Sequence, residues 1–189
     1  MKKRIVIFAS GTGSNAENII RYFKNSPLAE VVLVISNRKQ APVLDKAKDL
    51  NVEAIHIPAK EIESEKTLKI LKETNPDLIV LAGFLLKFPE TILKDFHNKV
   101  INIHPALLPK FGGKGMYGNF VHQAVLDAKE METGISIHYV NEHYDEGEII
   151  FQKSFPVSET DTLETIVERI HKLEHEWFPR IIEELLTNA

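Results

Sequence analysis

Asn102 and His104 stand two residues apart in Val100-Ile101-Asn102-Ile103-His104-Pro105-Ala106-Leu107-Leu108-Pro109. An amide donor and an imidazole are groups suited to stabilising a developing charge and to moving protons. Residues 99–103 form a short β-branched run of the kind that makes a buried strand, and neither strand nor helix interior accommodates Pro105 and Pro109. The two polar side chains therefore sit where a strand leaves its sheet, and alternation along the strand points them to the same face. In an open α/β sheet that place, just past the carboxyl ends of the strands, is where ligands bind. The same residues also fit a plain strand end with His104 capping a loop carbonyl, so the rest of the chain must decide.

A second cluster lies near the start. Ile5-Val6-Ile7-Phe8-Ala9 reads as a buried strand running into Ser10-Gly11-Thr12-Gly13-Ser14-Asn15, after which Ala16, Ile19, Ile20 and Phe23 fall on one face of an amphipathic helix. Glycines allow a tight turn and close approach of a ligand, and a helix start offers free N–H groups to an anion. Gly11, Gly13 and Ala16 satisfy the dinucleotide pattern G-x-G-x-x-A, but the second strand, Val31 to Ile35, ends in Ser36-Asn37-Arg38 with no carboxylate for ribose hydroxyls. No P-loop lysine is present either. A phosphate monoester on a small molecule suits the turn better, with Ser14 and Asn15 as side-chain donors.

The composition narrows the class. A chain of 189 residues favours one domain, large enough to bury roughly 70% of its unfolded surface. There is no cysteine, which excludes disulfides, zinc–thiolate sites and thiol catalysis. A net charge of -4 with a pI near 6.1 argues against binding a nucleic-acid backbone. Met1-Lys2-Lys3-Arg4 is followed by only a short apolar or small run, Ile5 to Ser10, too short for a signal-peptide core, so a cytoplasmic protein is expected, with no membrane attachment.

The elements that must position these groups follow in order. Helices are expected over Ala41–Leu50 and Glu61–Thr74, and strands over Glu53–Ile57 and Leu78–Ala82. Alternating strands and helices predict a doubly wound, mostly parallel sheet, Rossmann-like. The apolar segment Gly83 to Phe88 either packs beneath a neighbouring loop or walls a pocket for a flat hydrophobic ligand. Lys110 to Gly118 carries four glycines from Gly112 onward and reads as a lid or substrate loop. After a helix over Asn119–Ala128, Thr133–Val140 and Glu148–Phe155 read as an antiparallel hairpin with a long loop, in which Asp145 precedes the turn glycine Gly147.

Thr162 to Ala189 reads as a long C-terminal helix with a stripe at Leu163, Ile166, Val167, Ile170, Leu173, Trp177, Ile181 and Leu185, interrupted by Pro179. Glu174 falls on that stripe and needs an ion-pair partner or a site. His171-Lys172-Leu173-Glu174-His175 matches H-x-x-E-H, a zinc-peptidase pattern, but a third ligand and the surrounding domain of such enzymes are lacking, so no metal site is expected.

Taken together, Gly11-Thr12-Gly13-Ser14-Asn15, Leu81-Ala82-Gly83-Phe84, Asn102-Ile103-His104-Pro105-Ala106-Leu107-Leu108-Pro109 and Thr133-Gly134-Ile135-Ser136-Ile137-His138 with Asp145-Glu146-Gly147 resemble the folate-dependent formyltransferase family, along essentially the whole chain. The resemblance implies a formyltransferase fold, with residues 1–100 as a phosphate-binding half and 101–189 as a folate-binding and catalytic half. It implies transfer of a formyl group from 10-formyltetrahydrofolate to the amine of a phosphoribosylglycinamide, in purine biosynthesis. By it, Asn102, His104 and Asp145 are the catalytic group, with His104 protonated or proton-donating and Asp145 favouring its charged form. Gly13, Ser14 and Asn15 bind the ribose phosphate, Glu174 touches the glycinamide substrate, and Leu85, Leu86, Lys87 and Phe88 with Asn141, Glu142, His143, Tyr144, Asp145 and Asn102 form the folate cleft. The expected partners are these small molecules alone, with the protein a monomer or homodimer. Met116-Tyr117-Gly118 and Glu148 depart from the pattern of many relatives. Other formyl-folate enzymes would add an RNA-binding domain or an N-terminal regulatory domain, neither of which is expected here. A phosphosugar-binding module without catalysis would need only the glycine turn.

Overall fold

The run Ile5–Phe8 is fully buried because both of its faces are covered, the usual reason that a parallel strand lacks polar alternation. In the computed structural model, which describes residues 1–188, it belongs to β1 (Lys3–Phe8), an interior strand of a seven-stranded sheet. The order is β3-β2-β1-β4-β5-β6-β7, with β2 Ala29–Ser36, β3 Glu53–His56, β4 Leu78–Leu81, β5 Val100–His104, β6 Glu132–Tyr139 and β7 Ile149–Pro156. β1 to β5 pair in parallel, whereas β6 is antiparallel to both β5 and β7. The doubly wound, mostly parallel sheet with an antiparallel hairpin read from the sequence is therefore present.

Alternation along the strands splits the core into two layers. Ile5, Ile7, Val34, Val80, Ile101 and Ile137 face α1 (Ser14–Phe23), α2 (Pro42–Asp49) and α6 (Leu163–Thr187), while Val6, Phe8, Ile35, Ile79, Leu81 and Val100 face α3 (Glu65–Thr74) and α4 (Glu90–Asp95). The helix α5 (Asn119–Asp127) packs against α6. The predicted face of α1 is the one observed, with Ala16, Ile19, Ile20 and Phe23 buried.

Three expectations are corrected. The helix placed over Glu61–Thr74 is a 3-10 turn, Ala59–Glu61, followed by α3, because Ser64 caps the later start by accepting from the Thr67 N–H at 3.3 Å. The helix α4, which starts directly after Pro89, had not been anticipated. The last helix is not interrupted by Pro179. Proline cannot donate to the carbonyl four residues back, and that carbonyl, on His175, instead accepts from the Asn18 side chain at 2.8 Å. The buried line of α6 is Ile166, Ile170, Glu174, Phe178 and Ile182, with Leu173, Trp177 and Leu185 at its half-buried flank. Ala189, the end of the expected segment, lies outside the described residues.

The strand order reverses between β1 and β4, where the connections to either side leave a crevice beyond the carboxyl ends. There the two loops are tied together: Ser10 N donates to the Gly83 carbonyl at 3.0 Å, and Leu85 N donates to Ser10 Oγ at 3.0 Å. This seam and the end of β5 next to it form the floor of the site.

Candidate active site

Gly13 shapes the first wall. Its φ of +73° is left-handed, and a Cβ there would collide with the Val43 side chain, so only glycine allows α1 to start where it does. No side chain caps α1. Its first-turn N–H groups open, with Ser14 and Asn15, onto a cavity of about 620 Å³. Asn15 Nδ2 donates to Glu174 Oε2 at 2.9 Å. Burial raises the Glu174 pKa to about 7 against the lowering effect of that hydrogen bond. The carboxylate on the α6 stripe thus has a site, and it lies in the same cavity wall.

The opposite wall is built on β5. Val100, Asn102 and His104 share one strand face, and the turn after them is held against β6 by Ser136, whose Oγ donates to the Ala106 carbonyl at 2.7 Å and accepts from Leu108 N at 3.0 Å. Asp145 arrives from the β6–β7 loop with a left-handed φ of 55°. It joins the pair: Oδ2 lies 3.5 Å from His104 Nδ1, Oδ1 lies 3.5 Å from Asn102 Nδ2, and Gly113 N donates to Oδ2 at 3.0 Å. Asn102 and Asp145, 43 residues apart in the chain, are brought to one spot.

His104 also satisfies the plainer reading. Its Nε2 donates to the Phe111 carbonyl at 2.8 Å, so in the neutral ring Nδ1 carries the lone pair and faces Asp145. Burial lowers its pKa, outweighing the opposing pull of Asp145 and of the Phe111 carbonyl, so the resting ring is neutral at pH 7. Asp145 does favour the charged ring, but desolvation exceeds that attraction. Asp145 itself stays ionised. Burial raises its pKa, but His138 and His104, in their charged forms, and the Gly113 N–H together hold it below the ordinary aspartate value.

His138, the last residue of the Thr133–His138 motif, carries a role that the resemblance does not assign. Its Nδ1 donates to the Tyr139 carbonyl at 2.8 Å, which leaves Nε2 to accept from Asn102 Nδ2 at 3.2 Å. That bond sets which way the amide points. A strand position two residues after the buried Ser136, opposite Asn102 in the β5–β6 register, was the available signal.

The remaining candidates divide. Leu85 borders the large cavity, while Leu86, Lys87, Phe88, Asn141 and His143 border a smaller hollow of about 60 Å³. Asn102, Tyr144 and Asp145 line both, so the hollows meet at the polar cluster. In the segment from Gly83 to Phe88, Phe84 and Phe88 pack edge-on to Phe8 of β1, with ring centroids 5.4 and 5.1 Å away, while Leu85 and Leu86 border the two hollows. Glu142 is exposed, 3.8 Å from His143, and lines neither hollow. Gly113 to Gly118 form one side of the large cavity. Among the described residues no three His, Cys, Asp or Glu side chains converge as metal ligands, and no helix is long and apolar enough to cross a membrane.

Known proteins with this architecture share its chemistry by name. Residues 3–182 match the family described as formyl transferase. The phosphoribosylglycinamide formyltransferase of Bacillus subtilis (strain 168) is 38% identical over 190 residues, covering 97% of this chain and 95% of that protein. A trifunctional purine biosynthetic protein, adenosine-3, of Bos taurus is 35% identical over all of this chain, which spans 19% of it. The crystal structure of phosphoribosylglycinamide formyltransferase from Anaplasma phagocytophilum superposes with a TM-score of 0.90 at 33% identity, over 100% of this chain and 89% of that one. With the glycine turn, the Asn102–His104 strand end and the Asp145 loop all in place, the chain belongs to the formyl transferase family.

Proposed function

We propose that the protein transfers the formyl group of 10-formyltetrahydrofolate to the primary amine of N1-(5-phospho-D-ribosyl)glycinamide, a step of purine biosynthesis. The observation that carries this reading is the meeting of Asn102, His104 and Asp145 where two hollows join, one ending at the glycine turn and Glu174, the other lined by Leu86, Phe88 and Val140 together with Asn141 and His143. The phosphate of the ribonucleotide would lie against the first turn of α1 with Gly13, Ser14 and Asn15, near Glu174, and the flat pterin in the hollow of Leu86, Phe88, Asn141 and Tyr144. Their reacting ends then face each other at the cluster. Both partners are small molecules, and the protein would act in the cytoplasm as a single domain, monomeric or homodimeric.

The amine lone pair attacks the formyl carbon and the carbonyl electrons move to oxygen. The Asn102 N–H now spent on a 3.5 Å contact with Asp145 is free to turn to that oxygen, a donor of the kind worth roughly a hundredfold to a thousandfold in rate. The amine must lose a proton and N10 of the folate must gain one. Neutral His104 accepts it, Asp145 stabilises the resulting imidazolium, and the charged ring donates to the oxyanion before the proton passes to the leaving nitrogen. No bond to the protein forms. Holding the amine against the formyl carbon supplies much of the remaining acceleration.

A spectrophotometric turnover assay tests this reading. Absorbance of the folate product should rise only when both reactants are present. Release of formate without the ribonucleotide would indicate a hydrolase, and binding of both without product would indicate a non-catalytic module.

A further inference from the structure

One imidazole in the large cavity is not used by that reaction. His122 lies on α5 between the buried Val121 and Val125, is only 4% exposed, and borders the cavity together with His104, His171 and Glu174. Its Nδ1 is sealed from solvent and has no hydrogen-bond partner. Buried polar side-chain atoms are paired in the great majority of cases, and an orphan calls for an explanation. An apolar side chain at this helix position would avoid the desolvation cost altogether.

The tautomer follows from that orphan. Burial, reinforced by the charges that His171 and His104 can carry, drives the pKa of His122 down to about 4, so the ring is neutral and holds one hydrogen. A buried N–H without an acceptor is rarer and costlier than a buried lone pair without a donor, which places the hydrogen on Nε2. The ring's remaining edge borders the cavity, so the acceptor it lacks has to come from whatever fills that space. The surroundings state what kind of group that is: the glycine turn and α1 start favour an anion, Glu174 favours hydroxyls, and a neutral N–H between them suits an uncharged oxygen.

We propose that His122 is a binding residue for the sugar part of the phosphorylated reactant, its Nε2–H donating to a ribose or amide oxygen between the phosphate and the reacting amine. This rests on the function proposed above and adds to it a determinant of which amine is accepted. It also explains why a histidine occupies an apolar helix face without serving the fold.

The test compares His122→Phe, which keeps a flat ring without a donor, with His122→Gln, whose Nε2 can replace the lost N–H. Calorimetric titration with the ribonucleotide, and separately with ribose 5-phosphate, is run beside steady-state kinetics and thermal melts. His122→Phe should weaken both sugar phosphates at least fivefold and raise KM for the ribonucleotide to match. KM for the formyl folate should not rise and the melting temperature should not fall, and His122→Gln should recover most of the loss. Unchanged sugar-phosphate affinity in His122→Phe overturns the inference, as does an equal loss for both reactants or no difference between Phe and Gln. Failure of the wild type to form product would instead overturn the function proposed above, while the titrations would still decide the role of His122.

Discussion

Asn15 and Glu174, 159 residues apart by number, share a 2.9 Å hydrogen bond that joins the first turn of α1 to the middle of α6. The carboxyl is buried, and its pKa of about 7 stands above the ordinary 4.5. Between those values the folded state holds a proton that the unfolded state has released, so this group's contribution falls as pH rises from about 4.5 and is fully lost above about 7. Glu174→Gln should remove that dependence. Relative to wild type, the variant should gain on the order of 3 kcal/mol from pH 4.5 to pH 8, measured by urea unfolding at each pH. Parallel curves for the two proteins would show that Glu174 is ionised throughout.

His104→Ala and Asp145→Asn should each lower turnover at least tenfold while far-ultraviolet circular dichroism stays unchanged. Asp145 is held below its usual pKa in the fold, so its charge stabilises the protein above the unfolded value of 3.8, and that contribution is lost as pH falls through the lower folded value. Asp145→Asn should therefore be less stable than wild type at pH 7 and approach it in acid. Wild-type rates in both variants would remove these residues from the reaction.

Gly147→Ala should damage both hairpin and activity. An added Cβ would collide with the Tyr139 carbonyl oxygen, so backbone must move two residues from Asp145. A loss of roughly 2 kcal/mol or more in stability is expected. In the folded fraction, the remaining turnover should also be reduced, which active-site titration separates from unfolding.

Val140→Phe should separate the two reactants. Val140 borders the smaller hollow but not the larger. Filling that space should raise KM for the formyl folate about tenfold, on the order of 1.4 kcal/mol, with the ribonucleotide KM unchanged. An effect on the ribonucleotide alone would reverse the proposed placement of the two molecules.

Asn18→Ala should cost about 1 kcal/mol by leaving the His175 carbonyl without its protein partner. In a Pro179→Ala background, where residue 179 regains its N–H, the same change should cost close to nothing. Additivity of the two substitutions in chemical unfolding would contradict the compensation.

The sheet and its helices were legible because apolar runs such as Ile5–Ala9 and faces such as Ala16-Ile19-Ile20-Phe23 carry their periodicity locally. Asn102 and His104 were legible as a pair for the same reason, since alternation alone puts them on one face. What could not be read was set by contacts between distant segments. Pro179 signals a break unless Asn18 is known to stand beside it, and the neutral state of His104 depends on how deeply the lid segment and β6 cover it. The orientation of Asn102 depends on a lone pair of His138 that the Tyr139 carbonyl selects. His122 was silent in sequence, an ordinary histidine in a helix, until its surroundings proved to offer it nothing.

Asp145 belongs to the loop joining the last two strands at one edge of the sheet, whereas the glycine turn follows an interior strand. On the proposed reading, the phosphate grip and the carboxylate of the reaction are thus anchored at separate depths of the scaffold. Remodelling the peripheral loop can extinguish or redirect the chemistry while the grip on a phosphorylated molecule survives, so a descendant that has lost its turnover would still be retained as a receptor for the same metabolite.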